Sequence, residues 1–176
     1  PVQAGNDRVL ALMNRSYTGN EYLRLVERIR RACPSVALTT DIIVGFPTET
    51  ADEFEDTVRI VKEVSFDSAF IFKYSPRPNT RAAKELSDDV PEEEKTRRIV
   101  ALNRLQTEGS LQKNAAAIGE DQEVLVEEIM RDRGIVYARN DGNKIVTLAL
   151  DGLRPGDFLN VRIMDATPHQ LKGERK

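Results

Sequence analysis

Thr39-Thr40-Asp41-Ile42-Ile43-Val44-Gly45-Phe46-Pro47-Thr48-Glu49-Thr50 decides how this chain is read. The run Ile42-Ile43-Val44 is β-branched throughout, which suits a strand covered on both faces. Gly45 ends it at a point where a side chain would block the close approach of a ligand to the backbone. Pro47 forbids the ladder from continuing. Thr50 with Glu53 three residues on is a capping box for the next helix. In open or barrelled α/β folds, ligands sit at the carboxyl ends of strands, and the segment from Gly45 to Glu49 occupies such an end. A corner without a ligand carries the same punctuation.

Working outward, Pro1-Val2-Gln3-Ala4-Gly5 reads as the tail of a strand, and Asp7 opens a short helix over Arg8 to Asn14. Thr18-Gly19-Asn20-Glu21 is a second capping box. The helix it starts runs to about Ala32, with Tyr22, Leu25, Val26 and Ile29 at helical spacing. After the central strand, a helix over 51–64 turns Phe54, Val58, Val61 and either Ile60 or Val64 inward. Ser68 to Tyr74 is a third, aromatic-rich strand that enters Ser75-Pro76-Arg77-Pro78. Strand, helix and strand with short connections is the pattern of parallel βαβ units. Three strand tails are too few to enclose a core, so residues 1–90 read as part of a larger α/β layer, with a sticky edge at Pro1-Val2-Gln3.

An acidic, proline-containing stretch, Asp88 to Glu94, starts a connecting helix over 91–118. Gly109 interrupts it at a cost of about 1 kcal/mol relative to Ala, so a bend is expected there. Beyond Gly119 the apolar period changes to two. Segments 123–127, 135–139, 144–148 and 158–163 are short strands separated by turns such as Asn140-Asp141-Gly142-Asn143. Residues 119–176 therefore form a second domain, a small antiparallel barrel.

The chain has 176 residues, of which 40% are hydrophobic and 31% charged, as in an ordinary globular protein. No apolar run approaches the roughly 20 residues of a membrane helix. The first residue is Pro1, which points to an excerpt with an N-terminus upstream. A net charge of −3 means that any RNA contact is local. Cys33 and His169 are single, which excludes a disulfide framework and a Cys-x-x-Cys metal site and argues against hydrolytic nucleophilic catalysis. Cys33 is expected to be a partly buried structural thiol, and the compartment to be intracellular.

Polar residues collect at the strand ends: Gln3, Asp41, Glu49, Ser75 and Arg77. Phe46 and Tyr74 are placed to border a planar ring. Asp41 is equally suited to local capping. Arg77 between two prolines sits on a stiff backbone and suits either an anion or a surface ion pair. On the barrel, Arg131, Arg133, Arg139, Asn143, Lys144 and Arg162 offer a surface for RNA, among many carboxylates that also describe a solvated face.

The segments Pro1 to Leu10, Leu12-Met13-Asn14-Arg15, Tyr17-Thr18, Thr40 to Pro47 and Tyr74 to Pro78 resemble the radical-SAM methylthiotransferases, and among them the tRNA-modifying branch. The end of the chain, from Asp165 to Glu174, is similar to that family's TRAM domain, an RNA-binding module. The resemblance covers nearly the whole chain. It implies an α/β fold: the C-terminal part of a partial (β/α) radical-SAM barrel, then a TRAM barrel of OB-like type. It also implies a transferase in which S-adenosylmethionine is cleaved to a 5′-deoxyadenosyl radical. That radical acts on C2 of isopentenyladenosine next to the anticodon, and sulfur and methyl follow.

The implied partners are the tRNA anticodon stem-loop, a sulfur donor and an electron donor. The implied cofactors are S-adenosylmethionine and two 4Fe-4S clusters in the full-length enzyme, in the cytoplasm and without a membrane. Mapped onto this chain, Gln3, Asp41, Gly45, Phe46, Tyr74 and Ser75 face the cofactor. Arg77, Arg139, Asn143 and Lys144 serve the substrate. The Cys-x-x-x-Cys-x-x-Cys loop of the family is absent, so no metal ligand is assigned and the chain is expected to be inactive alone. Thr48 and Asn79 stand where glycine is common and stiffen their turns. Two other readings share these features. One acts on a ribosomal-protein aspartate or on threonylcarbamoyladenosine, and the other is a non-catalytic RNA-binding module.

Overall fold

The computed structural model describes residues 1–176, and the chain divides into two units, Pro1–Gln106 and Thr107–Lys176. The first contains helices α1 (Asp7–Leu12), α2 (Gly19–Ala32), α3 (Ala51–Val64) and α4 (Arg81–Glu85). Its strands are β1 (Thr39–Val44) and β2 (Ser68–Lys73), paired in parallel from Thr39↔Ser68 to Val44↔Lys73. Both predicted capping boxes form, Thr18 with Glu21 and Thr50 with Glu53. Asn6 caps α1, its side chain accepting from the Arg8 and Val9 amides, so the helix starts one residue before the expected Arg8.

The first three residues do not make a full strand. Gln3 alone bridges Ile42, donating its N–H to the Asp41 carbonyl and accepting from the Ile43 N–H at 2.9 Å. Side-chain hydroxyls hold the rest of this segment: the Val2 amide donates to Thr40 and the Gly5 amide to Thr57, both at 2.8 Å. The core beneath contains Val2, Ile42, Val44, Phe54, Ile60 and Phe66. Only one face of β1 enters it. Thr40, Ile42 and Val44 are buried, whereas Thr39 is exposed and Asp41 and Ile43 are only partly covered. The expectation of a strand covered on both faces is therefore corrected. Its β-branched residues alternate between a packed face and an open concave one. Leu25 is also corrected, since it is 48% exposed and Leu23 takes the inward place.

Helix α5 (Glu92–Ala116) is helical without interruption through Gly109, and the division between the units falls within it. In the first unit it presents Lys95, Arg98, Leu102 and Gln106 to the interior, all buried. Gln106 donates to the Phe66 carbonyl at 3.0 Å. Three of these four inward residues are polar, so apolar periodicity did not mark this face.

The second unit is a closed barrel of β3 (Asp121–Met130), β4 (Ile135–Asn140), β5 (Ile145–Ala149), β6 (Phe158–Ala166) and β7 (Gln170–Arg175). Its order is β3-β4-β5-β7-β6, and it encloses Val124, Val136, Val146, Val161, Ile163 and Leu171. Closure removes the edges that an open sheet of this size would expose. The barrel is not wholly antiparallel, because β5 and β7 run in parallel. β7 was missing from the strands read in the sequence. Gly173 interrupts its pattern, and a Cβ there would lie 2.8 Å from Leu148 Cδ2.

Candidate functional site

At the carboxyl ends of β1 and β2 lies an open cavity of about 900 Å³. Gln3, Asp41, Phe46, Tyr74, Ser75 and Arg77 all line it, so six residues singled out from the sequence converge there. The open face of β1 and β2 forms the floor, with Ile43 beside Phe72 in register. Leu12 and Met13 from the end of α1 add apolar wall. A concave, mixed site at the strand ends is where α/β folds bind ligands, and about 300–1,000 Å³ is the usual size.

Gln3 is buried, 6% exposed, and holds φ +65°, a left-handed conformation that a non-glycine residue adopts at a cost of about 1 kcal/mol or more. Its two backbone hydrogen bonds to β1 fix that geometry at the cavity wall. Phe46 meets Tyr74 edge to face, with centroids 5.1 Å apart at 72°. Phe46 is 4% exposed and packs with Ala4, Val9 and Leu10. It supports Tyr74 more than it offers a free face. Burial, and then Asp88, push the Tyr74 hydroxyl above its usual pKa, so this group stays a neutral donor at neutral pH. Asp41 places its carboxyl-bearing side chain on the cavity side of β1, half-buried.

Gly45 and Glu49 behave differently from the sequence reading. Gly45 has φ +68°, and the space a Cβ would occupy there is taken by Lys95, whose Cγ lies at 2.3 Å. The close approach that glycine permits is therefore that of the chain's own helix α5, and Gly45 does not line the cavity. The Gly45 N–H donates to Glu49 Oε2 at 2.6 Å. Glu49 turns into the interior, where the same oxygen accepts from Arg98 Nη1 at 2.6 Å. The two side chains are 1% and 4% exposed, and Glu49 Oε1 is buried without a partner. Burial raises the Glu49 pKa above the usual carboxylate value, against the lowering effects of the Gly45 amide and of Arg98.

The turn after β1 is thus fastened from below by two buried cations of α5. Lys95 pairs with Asp88 at 2.5 Å, and its ammonium stands 5.6 Å over the Tyr74 ring. Sequence reasoning missed both cations. The signal was a Lys and an Arg three residues apart, one helical turn ahead of Leu102 on the same face. It also passed over Arg15, Lys73 and Arg81, which line the cavity. Thr48 holds φ +66° and Asn79 φ +68°, so both sit in the left-handed turns for which glycine was expected. Arg8 and Asp89 brace Thr48: Arg8 donates to its Oγ1 and carbonyl, and its N–H donates to Asp89.

On the barrel, Arg139 donates to both carboxylate oxygens of Glu127 at 2.9 Å and to the Asn143 carbonyl at 3.0 Å. Asn143 occupies the left-handed position of the β4–β5 turn, with φ +61°. Lys144 donates to Asn114 Oδ1 at 2.8 Å. The three residues lie close together, and the contacts of Arg139 and Lys144 are internal. Cys33 is exposed, contrary to the expected partly buried thiol. No group of three or more His, Cys, Asp or Glu side chains is arranged to hold a metal ion. No helix is long and apolar enough to cross a membrane.

Residues 1–61 match the model of the Radical SAM superfamily, and residues 116–176 that of the TRAM domain. Over 175 residues the chain is 45% identical to a tRNA-2-methylthio-N(6)-dimethylallyladenosine synthase of Phocaeicola vulgatus, covering 99% of this chain and 38% of that protein. It is 46% identical over 174 residues to a protein of the same name from Pelotomaculum thermopropionicum, covering 98% and 39%. With that of Caldicellulosiruptor saccharolyticus it shares 42% over 174 residues, covering 99% and 37%. The chain thus spans little more than a third of the length of these relatives.

Proposed function

We propose that this chain is the C-terminal portion of a tRNA methylthiotransferase of the radical-SAM type, a reading supported by its Radical SAM and TRAM matches and by its 45% identity to one such synthase. In this reading the enzyme adds a methylthio group to C2 of isopentenyladenosine next to the anticodon, in the cytoplasm, and draws on separate sulfur and electron donors. The observation that carries it is one chain joining a strand-end cavity, lined in part by its Radical SAM segment, to a TRAM barrel.

The cavity residues fit S-adenosylmethionine. Tyr74, backed edge to face by Phe46, and Phe72 give apolar surface for a planar ring. Gln3, Asp41 and Ser75 give polar groups for ribose and amino-acid atoms. When bound, this cofactor supplies the adenosyl and methyl groups of the reaction. The protein's part is to orient it: the strained Gln3 backbone fixes one wall, and the Lys95-braced Tyr74 fixes the other. An iron–sulfur cluster does not fit these residues, since Cys33 is the single cysteine and lies at the end of α2, away from the cavity lining. The isolated chain is accordingly proposed to be inactive.

The test is recognition of RNA by the chain. An anticodon stem-loop carrying isopentenyladenosine is expected to bind more tightly than the same stem-loop with threonylcarbamoyladenosine, and to be displaced by neither a ribosomal-protein peptide nor an unrelated hairpin. Equal binding of all hairpins would leave only a general RNA-binding module. Preference for the peptide would move the substrate to protein.

A further inference from the structure

The rim of the cavity is basic in a chain that is acidic as a whole. Four cations line it, Arg15, Lys73, Arg77 and Arg81, against the one carboxylate of Asp41, while the net charge of the chain is −3. Two of the four are already engaged, Lys73 with Glu92 and Arg81 with Glu85. Arg15 and Arg77 are exposed and stand in no ion pair. Each hangs from a fixed stretch of backbone. Arg15 closes the end of α1 in a Schellman arrangement: Asn14 is left-handed at φ +56°, its N–H donates to the Ala11 carbonyl, and the Arg15 N–H donates to the Leu10 carbonyl. Arg77 lies between Pro76 and Pro78, and its carbonyl accepts from the Thr80 amide and hydroxyl. Their guanidinium groups are thus presented from anchored backbone on separate segments of the same cavity, which lowers the ordering cost of gripping an anion.

We propose that Arg15 and Arg77 hold the phosphates flanking the RNA nucleotide whose base enters this cavity. A base that undergoes chemistry must leave its stack and reach into a pocket, while the charged backbone on either side stays outside. About 900 Å³ is near the upper end for one ligand, so the cavity has room for a base beside a nucleoside cofactor. The guanidinium fork suits phosphate oxygens, and two such forks at the rim set the register of the strand without reading its sequence. The assignment rests on RNA being the substrate.

The experiment is the salt dependence of stem-loop RNA binding by the 176-residue chain, read by fluorescence anisotropy from about 50 to about 200 mM salt. Arg15→Ala and Arg77→Ala are each expected to weaken binding and to reduce the slope of log K against log salt by about 0.7–0.9, and the double variant by about twice that. Arg15→Lys and Arg77→Lys keep the slope and lose affinity through the missing fork. Arg28→Ala, on the exposed face of α2, leaves the slope unchanged. S-adenosylhomocysteine, which carries the same amino-acid carboxylate as the cofactor, binds all variants equally, and thermal unfolding confirms that they are folded. RNA binding with an unaltered slope overturns the proposal while leaving the substrate reading intact. A parallel loss of S-adenosylhomocysteine binding overturns it too, and gives the arginines to the cofactor carboxylate. If the wild-type chain binds no RNA, the substrate reading falls and this assignment falls with it.

Discussion

Replacing Arg98 by Met removes one partner of a buried ion pair without greatly changing side-chain volume. The guanidinium donates to Glu49 Oε2 at 2.6 Å, to the Glu49 carbonyl at 3.1 Å and to Glu94 at 2.7 Å. Without it, Glu49 keeps only the Gly45 N–H, in a place where its side chain is 1% exposed. Breaking such a pair from one side costs about 3–5 kcal/mol, because a charge is left buried and uncompensated. That is a large share of the roughly 5–15 kcal/mol that holds a domain folded. Urea unfolding followed by tyrosine fluorescence reads it, since Tyr17, Tyr22 and Tyr74 lie in the first unit and only Tyr137 in the barrel.

The pH dependence of that loss has a definite sign. Burial already raises the Glu49 pKa, and losing Arg98 raises it further. An acid whose folded pKa exceeds its unfolded value destabilises the fold above its unfolded pKa, and the penalty vanishes once both states are protonated. The deficit of Arg98→Met relative to wild type is therefore full at neutral pH and shrinks as pH falls towards about 4.5. Adding Glu49→Gln to Arg98→Met should recover a large part of it at neutral pH. A loss below about 1 kcal/mol, or one that stays flat between neutral pH and about 4.5, would refute the buried-charge account.

Gly45→Ala should cost about 2–4 kcal/mol, combining a left-handed backbone with a clash against the Lys95 stem; a change within measurement error in urea would mean that α5 gives way there. Arg8 holds the Glu53 carboxyl down to about 2, so this bridge stabilises above the usual carboxylate range and is lost as pH falls towards 2. Arg8→Met should thus be less stable than wild type at neutral pH and converge with it at the acid end, as measured by thermal unfolding across pH. Replacing Arg139 and Lys144 together by Ala should weaken RNA binding and lower its salt slope by roughly one unit per lost phosphate contact. An unchanged slope would leave Arg139 and Lys144 with the internal partners already seen, Glu127 and Asn114.

Much of the cavity was legible because local rules governed it. The capping boxes at Thr18 and Thr50 fixed where α2 and α3 begin, and the β-branched run fixed β1 between them. Once the strand ends were placed, Gln3, Asp41, Phe46, Tyr74, Ser75 and Arg77 followed to one site. What escaped depended on partners distant in sequence. Gly45 announced a close approach but not whose, and the answer lay fifty residues on, at Lys95. Glu49 had the look of a site carboxylate, yet it folds away to Arg98. In the barrel, the turn residues marked the antiparallel hairpins. The parallel pairing of β5 with β7 has no local signature, because it joins segments separated by the whole of β6.

The most direct test of the central claim is a titration of the ¹⁵N-labelled chain with S-adenosylhomocysteine, followed by amide chemical shifts. The cavity account predicts saturable shifts at Gln3, Asp41, Phe46, Tyr74 and Ser75, with the barrel strands unmoved. Shifts confined to the barrel, or none at saturating ligand, would contradict it.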